Sequence, residues 1–534
     1  MPSGGRNRGI RKKNDIFFST GLCHTASRFR FCPFLSKKFI PELAQNVFFD
    51  LFERSRFMHT VSQSFSLFRE RLRANRLIAY SLRHSSLLLE LLLTFFLFTS
   101  WMGFVIVSAQ GAASYSRGFD LFFTILRYGG YVLMLGAALL SLTLSKRRQN
   151  PIVVWTVLIV SVLVFLFSRS TEFAILTLYL FAFRSLSLRR GLRVYLFVLT
   201  TVLGLVLALS VLHVFPDAIM DTERSRHALG FAWVSTAPVL FLFLLIALLL
   251  CDLRALNTTA LMALAGMSVL FYFLTDTRFA FLLSLLLLIL TGLLQSHPAW
   301  FSFMHKRWFG ICLALLPVVL AIVALGLMLA YTPGQPFWES LNGLLSGRLA
   351  NARTAFDQYG LSLAGKHIVW QGNGPATTAG DTYLYVDCSY LNILLNFGVL
   401  EWLLVLGCCS CIAWQAYRKK NVPLMIALFI VYCFSFNEVR LLNPVFNPLL
   451  LYASHLLSQP FSHLSRWFAS HFKTRRKTAR AAHTSVHEAS EDAFEADGHS
   501  EKIRKVSSKA TLRSSRPAAS TAGKGGPTYG AFSS

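Results

Sequence analysis

The sequence predicts an all-α polytopic membrane protein, and three observations carry that prediction. Of its 534 residues, 54% are hydrophobic and only 14% charged, with a mean hydropathy of +0.51; soluble globular chains carry roughly 25% charged residues. The apolar residues, 48 Phe among them, run through stretches long enough to span, and a spanning helix needs about 20 of them. The net charge is +27. Its Lys and Arg crowd the two ends of the chain and alternate short connections, which is the positive-inside distribution of a membrane protein rather than a nucleic-acid surface. The tails are placed to touch anionic lipid headgroups.

Taken in order, residues 1–84 form a basic N-terminal region with no leading apolar stretch. No secretory signal is read there, and the first span serves as an uncleaved anchor. Residues 1–57 lack clear organisation, which leaves Met1 and Met58 as alternative starts, and Phe65 to Arg83 has the pattern of a basic amphipathic helix on the membrane surface. About 12 spans follow from the need for long apolar runs. They lie at about 85–109, 120–144, 152–168, 172–188, 194–215, 230–250, 258–275, 279–295, 311–331, 389–417, 423–436 and 445–458. The inside connections are Lys146-Arg147-Arg148, Arg189-Arg190 with Arg193, Arg254, Lys306-Arg307 and Arg418-Lys419-Lys420. The alternation holds along the whole chain and puts both termini inside. One outside connection is long, 331–387. Within it, Ser346 to Tyr359 reads as a helix with Leu349, Ala352, Ala355, Phe356 and Tyr359 on one face and Gly360 as its stop. Gly372 to Gly380 reads as an irregular loop. Residues 459–534 form a basic, Ser/Ala-rich tail with an acidic patch near Glu488 to Asp497, expected to be disordered. No internal repeat is evident.

The outer connections disfavour positive charge, yet they carry eight arginines: Arg117, Arg169, Arg224, Arg226, Arg278, Arg348, Arg353 and Arg440. Lys366 is the one lysine beside them. A planar, permanently charged guanidinium suits bidentate recognition of phosphate. Several stand at span ends with a carboxylate close in sequence: Arg169 with Glu172, Arg278 with Asp276, Arg440 with Glu438. Each pair alone reads equally well as a loop-fixing salt bridge; the set reads better as convergence on a polyanion at headgroup level, a lipid-linked diphosphate. His227, beside Arg226, is a candidate base near neutral pH, and otherwise a loop histidine with one hydrogen bond. Tyr383, Tyr385 and Tyr390 flank Asp387, with Trp370 upstream, a pattern suited to sugars and also to interfacial anchoring. Ionisable residues within spans are few, Glu90, Arg127 and Glu401, which disfavours a transporter. There is no P-loop and no dinucleotide-binding fingerprint. No cofactor is expected, and no metal site: no His, Cys and carboxylate cluster has ligand spacing, and Cys408, Cys409 and Cys411 read as small apolar residues of a helix. Of nine cysteines only Cys388 faces outward, so no structural disulfide is expected.

Four segments then carry a family resemblance: Arg224-Ser-Arg-His-Ala-Leu-Gly-Phe231; Thr275-Asp-Thr-Arg278; Leu345-Ser-Gly-Arg348 with Asp357-Gln-Tyr-Gly-Leu-Ser-Leu-Ala-Gly365, Val386-Asp-Cys-Ser-Tyr-Leu391 and Phe397-Gly398; and Asn437-Glu-Val-Arg440 with Asn443-Pro444. Together they resemble the O-antigen polymerase (Wzy) family in its Gram-positive capsule and exopolysaccharide form, within the O-antigen ligase and polymerase superfamily. The third is the most specific. The likeness covers about residues 85–458. It departs at Ala364, where a large apolar residue is expected, and at Phe231 to Pro238, which lacks the usual aromatic, Pro and Asn pattern.

The resemblance implies a GT-C-like helical fold in the cell (cytoplasmic) membrane, with the large loop over a lateral cavity. It implies polymerisation of undecaprenyl-diphosphate-linked oligosaccharide repeat units, a glycosyl transfer at the outer face. The implied partners are that substrate, membrane lipids, and flippase and chain-length regulator proteins; no nucleic acid is expected. Outer placement and motif match together select Arg226, Arg278, Arg348 and Arg440 as diphosphate contacts. The candidates for acid or base are His227, Glu438 and Asp387, and Arg224, Arg353 and Tyr390 are further substrate contacts. A ligase acting on another acceptor, and a lipid-linked sugar flippase, are the alternatives.

Overall fold

The computed structural model describes residues 85–109, 117–144, 151–220, 225–253, 256–371 and 383–458. The expectations for the N-terminal region, Arg224, the basic connections at Lys146-Arg147-Arg148 and Arg254, the loop Gly372 to Gly380 and the C-terminal tail lie outside these residues.

The regular structure of the described chain is helical apart from one pair of two-residue strands and an isolated bridge between Gln371 and Leu384. In order come α1 (Ser85–Ala109), α2 (Arg117–Leu144), α3 (Pro151–Ser168), α4 (Thr171–Ala182), α5 (Leu188–Val211), β1 (Ile219–Met220), β2 (Arg226–His227), α6 (Thr236–Cys251), α7 (Thr258–Thr275) and α8 (Arg278–Ser296). Then follow α9 (Arg307–Ala330), α10 (Pro336–Leu344), α11 (Arg348–Tyr359), α12 (Ser389–Arg418), α13 (Val422–Ser435) and α14 (Leu450–Leu457). Each stretch expected to span contains a helix, though not always one of spanning length. Seven described helices are both long and apolar enough to cross a membrane: α1, α2, α5, α7, α8, α9 and α12. α3, α6 and α13 are apolar but shorter.

The stretches expected to span at 172–188 and 445–458 hold helices of only 12 and 8 residues. α4 stops in a 3-10 turn, Phe183–Ser185, where the buried Arg184 donates from Nε to Ser141 Oγ at 2.7 Å. Before α14, Asn443 and Asn447 each accept from the backbone N–H two residues on, at 3.0 Å. Such turns, with Pro444 and Pro448 beside them, hold the chain out of helix until Leu450.

α6 sits at the centre. It packs on α5, α7, α8 and α13, nearly all its residues are buried, and a helix that is apolar all round belongs in such a position. The outer helices present rows of large apolar side chains instead, such as Leu121, Phe122, Ile125 and Val132 on α2 and Trp155, Ile159, Val162 and Leu166 on α3. Apolar patches of that extent are foreign to a water-facing surface and match a lipid-facing one; the chain is a helical membrane-spanning protein.

Within the long loop, α11 forms as its sequence predicts, burying Leu349, Ala352 and Ala355 and ending at Gly360 with φ 63°. α10 and the paired strands β1 and β2 are elements beyond those expected from the sequence. α12 is the other departure: the run expected as one span breaks at Gly398, φ 85° and ψ 175°. Val399 N–H donates to Ser362 O and Leu400 N–H to Leu363 O, both at 3.0 Å, while Asn396 O accepts from Lys366 N–H at 3.1 Å. The loop segment 362–366 therefore takes over the backbone partners that the broken helix gives up.

Candidate functional site

One end of the bundle gathers the ends of α3, α5, α7, α9 and α13, the starts of α4, α6, α8 and α12, and the whole of α10 and α11. Cross-bonds tie these ends together. His367 Nδ1 lies 3.2 Å from Ser168 O, and Arg353 Nη1 donates to Leu329 O at 3.0 Å. Arg226 Nε donates to Thr275 O at 2.9 Å. Phe279 stacks on Phe434 with ring centres 6.3 Å apart.

Arg348 is fixed by the turn before it. Ser346 (φ 55°) and Gly347 (φ 81°) are both left-handed, a conformation that favours Gly, and Asn342 Oδ1 accepts from Ala350 N–H at 3.1 Å. Arg348 is thereby the first residue of α11. Its Nε lies 3.2 Å from Asp387 Oδ2 and its Nη2 lies 3.9 Å from Glu438 Oε1. The first contact is within ion-pairing range but off the hydrogen-bond line, so the buried Nε has no acceptor. Asp387 stands two residues before α12. Glu438 and Arg440 belong to the irregular segment 436–449 between α13 and α14.

That segment is held from several sides. Ser389 Oγ donates to Glu438 O at 2.5 Å and accepts from Leu441 N–H at 3.3 Å. Trp101 Nε1 donates to Val445 O at 3.3 Å. Tyr195, itself bonded to Tyr179 at 2.9 Å, donates its hydroxyl to Pro444 O. Arg440 lies with its guanidinium carbon 4.4 Å from the centre of the Phe446 ring, a cation–π seat. No carboxylate among the described residues is within ion-pairing distance of it, and its buried Nε has no acceptor.

The electrostatics follow from half-burial. Burial pushes the Glu438 carboxyl up to about 6, against the opposing pull of Arg440 and Arg348 and with Asp387 adding to the rise. Burial also raises Asp387, with Arg348 and then Arg440 opposing. Tyr383 and Tyr385 complete the wall. Burial raises both hydroxyls, Tyr385 to about 12, and Tyr385 senses Arg440, Glu172, Asp387 and Glu438. Trp370 packs edge-on against Tyr385 at 5.6 Å. Two arginines with unmet donors, two carboxylates and a floor of aromatic rings can hold an anionic group beside a sugar and accept or donate a proton there.

Of the residues selected from sequence, Arg348, Asp387, Glu438 and Arg440 come together. Arg226 caps α7, and Arg278 pairs with Asp276 at 3.2 Å in an exposed turn. Both stand at the same end of the bundle. Arg353 is taken up by Asp357 at 3.0 Å and by Leu329 O. Tyr390 is 1% exposed and donates to Tyr432 O at 3.0 Å, which places it in the core. His227 Nδ1 lies 2.6 Å from Asp217 Oδ2. Asp217, Ser389, Phe446 and Tyr195 were not legible as site residues: the hairpin joining Asp217 to His227 is too short to show alternation, and the other three act through backbone or ring contacts that leave no spacing in the sequence. Among the described residues no group of three His, Cys, Asp or Glu side chains is placed to share a metal ion. No family model matches the chain, and no curated protein or solved structure matches it.

Proposed function

We propose that the protein polymerises undecaprenyl-diphosphate-linked oligosaccharide repeat units at the outer face of a bacterial cytoplasmic membrane, with both its termini in the cytoplasm. The chemistry is a glycosyl transfer. An acceptor hydroxyl attacks the anomeric carbon of the donor glycan, the bond to the diphosphate breaks, and the diphosphate oxygen carries the electrons away. Such a step needs fixed positive charge where the leaving group forms and a base for the hydroxyl proton. The observation that carries the proposal is the pair of arginines, Arg348 and Arg440, held by separate segments with a buried Nε on each that meets no acceptor. Unmet guanidinium donors beside half-buried carboxylates suit a transient anion better than a finished salt bridge. The sequence resemblance supports the same reading.

A second reading has one observation behind it. α12 is discontinuous at Gly398, and Glu401 is buried a turn below the break; broken helices with a buried ionisable group occur in transporters. A lipid-linked sugar flippase is therefore the rival, and gene deletion separates the two. A single repeat unit left on the surface lipid supports polymerase; loss of all surface units supports flippase. For the polymerase, Arg348→Ala or Arg440→Ala removes one charge-assisted contact worth about 1.5–3 kcal/mol. Membrane vesicles should then form glycan roughly 10- to 150-fold more slowly. Chains of normal length at normal rate in both variants would remove the arginines from the site.

A further inference from the structure

We infer that Asp217 is a positioning residue for His227, and that the pair presents the histidine Nε2 as the proton acceptor for the attacking sugar hydroxyl. The inference rests on the polymerase reading above. His227 lies on β2, paired with Ile219 of β1, and Asp217 precedes β1. Asp217 Oδ2 is 2.6 Å from His227 Nδ1, and Asp217 Oδ1 accepts from Leu229 N–H at 2.7 Å. With both oxygens engaged, the carboxylate cannot swing away from the ring.

Two acceptors cannot face each other at that distance without a proton between them, so Nδ1 carries the hydrogen, and the ring in its neutral form has its lone pair on Nε2. Among the described residues Nε2 has no hydrogen-bond partner, and the imidazole is half-exposed. Leu229, whose N–H holds the carboxylate, is itself left-handed at φ 56°, followed by Gly230 at φ 80°. A Leu kept in that region marks a backbone whose surroundings fix it. The turn is seated by Gly230, where a Cβ would meet Ser210 Cβ at 3.0 Å.

Packed rings connect the turn that follows the dyad to the arginine site. Phe231, whose N–H donates to Ala228 O at 3.0 Å, lies 6.4 Å edge-on from Trp101. Trp101 lies 4.7 Å from Phe446, and Phe446 seats Arg440. Asp387 and Glu438 already stand beside Arg348, which favours their holding that arginine. His227 has its carboxylate partner on Nδ1 and, among the described residues, no partner on Nε2. In the transfer, the hydroxyl oxygen bonds to the anomeric carbon, its proton passes to Nε2, and the glycosyl–diphosphate bond gives its electrons to the diphosphate. The proton then leaves to solvent or to that diphosphate, and the ring returns to neutral.

The test uses the full chain in lipid vesicles, 15N-labelled at histidine, with His227→Gln to assign the ring signals. Solid-state NMR should show the neutral ring protonated at Nδ1, and Asp217→Asn should shift protonation towards Nε2. A wild-type ring protonated at Nε2, or one unmoved by Asp217→Asn, overturns the positioning role. Lipid-linked repeat units extracted from a strain lacking the gene serve as the substrate. Asp217→Asn and His227→Gln should lower kcat by about 100-fold or more with KM within about twofold, and Asp217→Glu should recover part of it. If the wild type lengthens these units and Asp217→Asn keeps its kcat, the inference fails while the polymerase reading stands. If the wild type does not lengthen them, both fail.

Discussion

Arg348 and Arg440 carry the same charge but are held by different forces. Arg348 is braced by carboxylates, so its charge is balanced from the side. Arg440 rests on the face of Phe446, a contact worth about 0.5–2 kcal/mol depending on desolvation, and acts on Glu438 and Asp387 only from beyond ion-pairing distance. Glu438 shows the cost of this arrangement. Its carboxyl titrates at about 6 where 4.5 is ordinary. The folded state holds that proton more tightly than the unfolded one, so stability is fully present below pH 4.5, falls as pH rises, and levels off above 6. The loss is about 2 kcal/mol, since each tenfold gain in proton affinity on folding is worth about 1.4 kcal/mol. Glu438→Gln mimics the protonated form at every pH. Its melting temperature relative to wild type should therefore climb between pH 4.5 and 6.5 and stay level outside that window; a constant offset would show that the carboxyl is not perturbed. Asp387 is raised in the same direction, again by burial, and its charge adds to the rise at Glu438. These four residues could be picked from sequence because an arginine or a carboxylate in a connection expected to face outward has few reasons to be there. Asp217 could not, because nothing in the run from Pro216 to His227 marks which carboxylate turns back.

At the scale of elements, the join between the long loop and α12 is where two glycines are indispensable. Gly365 has φ 96° and Gly398 φ 85°. At Gly365 a Cβ would stand 2.6 Å from Asn396 O, and at Gly398 it would stand 2.7 Å from Leu363 O. Backbone strain alone costs about 1–3 kcal/mol at such φ and ψ, and each clash is with backbone that cannot rotate away. Gly365→Ala and Gly398→Ala should each lower the melting temperature of the protein in detergent and release the loop, seen as faster proteolysis between α11 and α12. Gly407 on the same helix has nothing within 4 Å of its Cβ position. Gly407→Ala should hold or raise stability by up to about 1 kcal/mol through helix propensity. Equal melting temperatures for all three would show that the loop does not brace the break. In the sequence Gly398 and Gly407 both lie inside residues 389–417 and neither interrupts the apolar run of the expected span. Only the partner segment 362–366 reveals the break, and that pairing is non-local. α11 was legible for the opposite reason: its Leu349, Ala352 and Ala355 stripe is local and periodic, and its Gly360 stop stands where the stripe ends.

At the scale of the molecule, the helical membrane-spanning character was legible because a helix is the way a single apolar run satisfies its own backbone in lipid; of the twelve expected spans, seven hold helices long and apolar enough to cross. The lengths of α4 and α14 were not legible, since Arg184 with Ser141, and Asn443 with Asn447, end or delay those helices by side-chain contacts rather than by polarity. The charge map separates the two ends of the bundle. Arg189 and Arg190 open α5, Lys306 and Arg307 open α9, and Arg418 closes α12 ahead of Lys419 and Lys420. Arg190 Nη1 meets Glu90 Oε1 at 3.0 Å near the start of α1, and α9 lies against the last turns of α12, where a Cβ on Gly310 would run into Tyr417. All of these stand opposite the Arg348 site. If the basic end faces the cytoplasm, as the positive-inside rule requires, the Arg348 site faces out, as the proposed polymerisation of lipid-linked units needs. Alkaline phosphatase fused after Thr332 or Gly360 should be active, and a fluorescent protein fused after Lys306 or Lys420 should fluoresce. Fluorescence at Gly360 with silent phosphatase there would put α11, Arg348 and the paired carboxylates on the cytoplasmic side. A site on that side meets nucleotide-sugars instead of assembled lipid-linked units, so that single result would end the polymerase proposal whatever the arginine variants do.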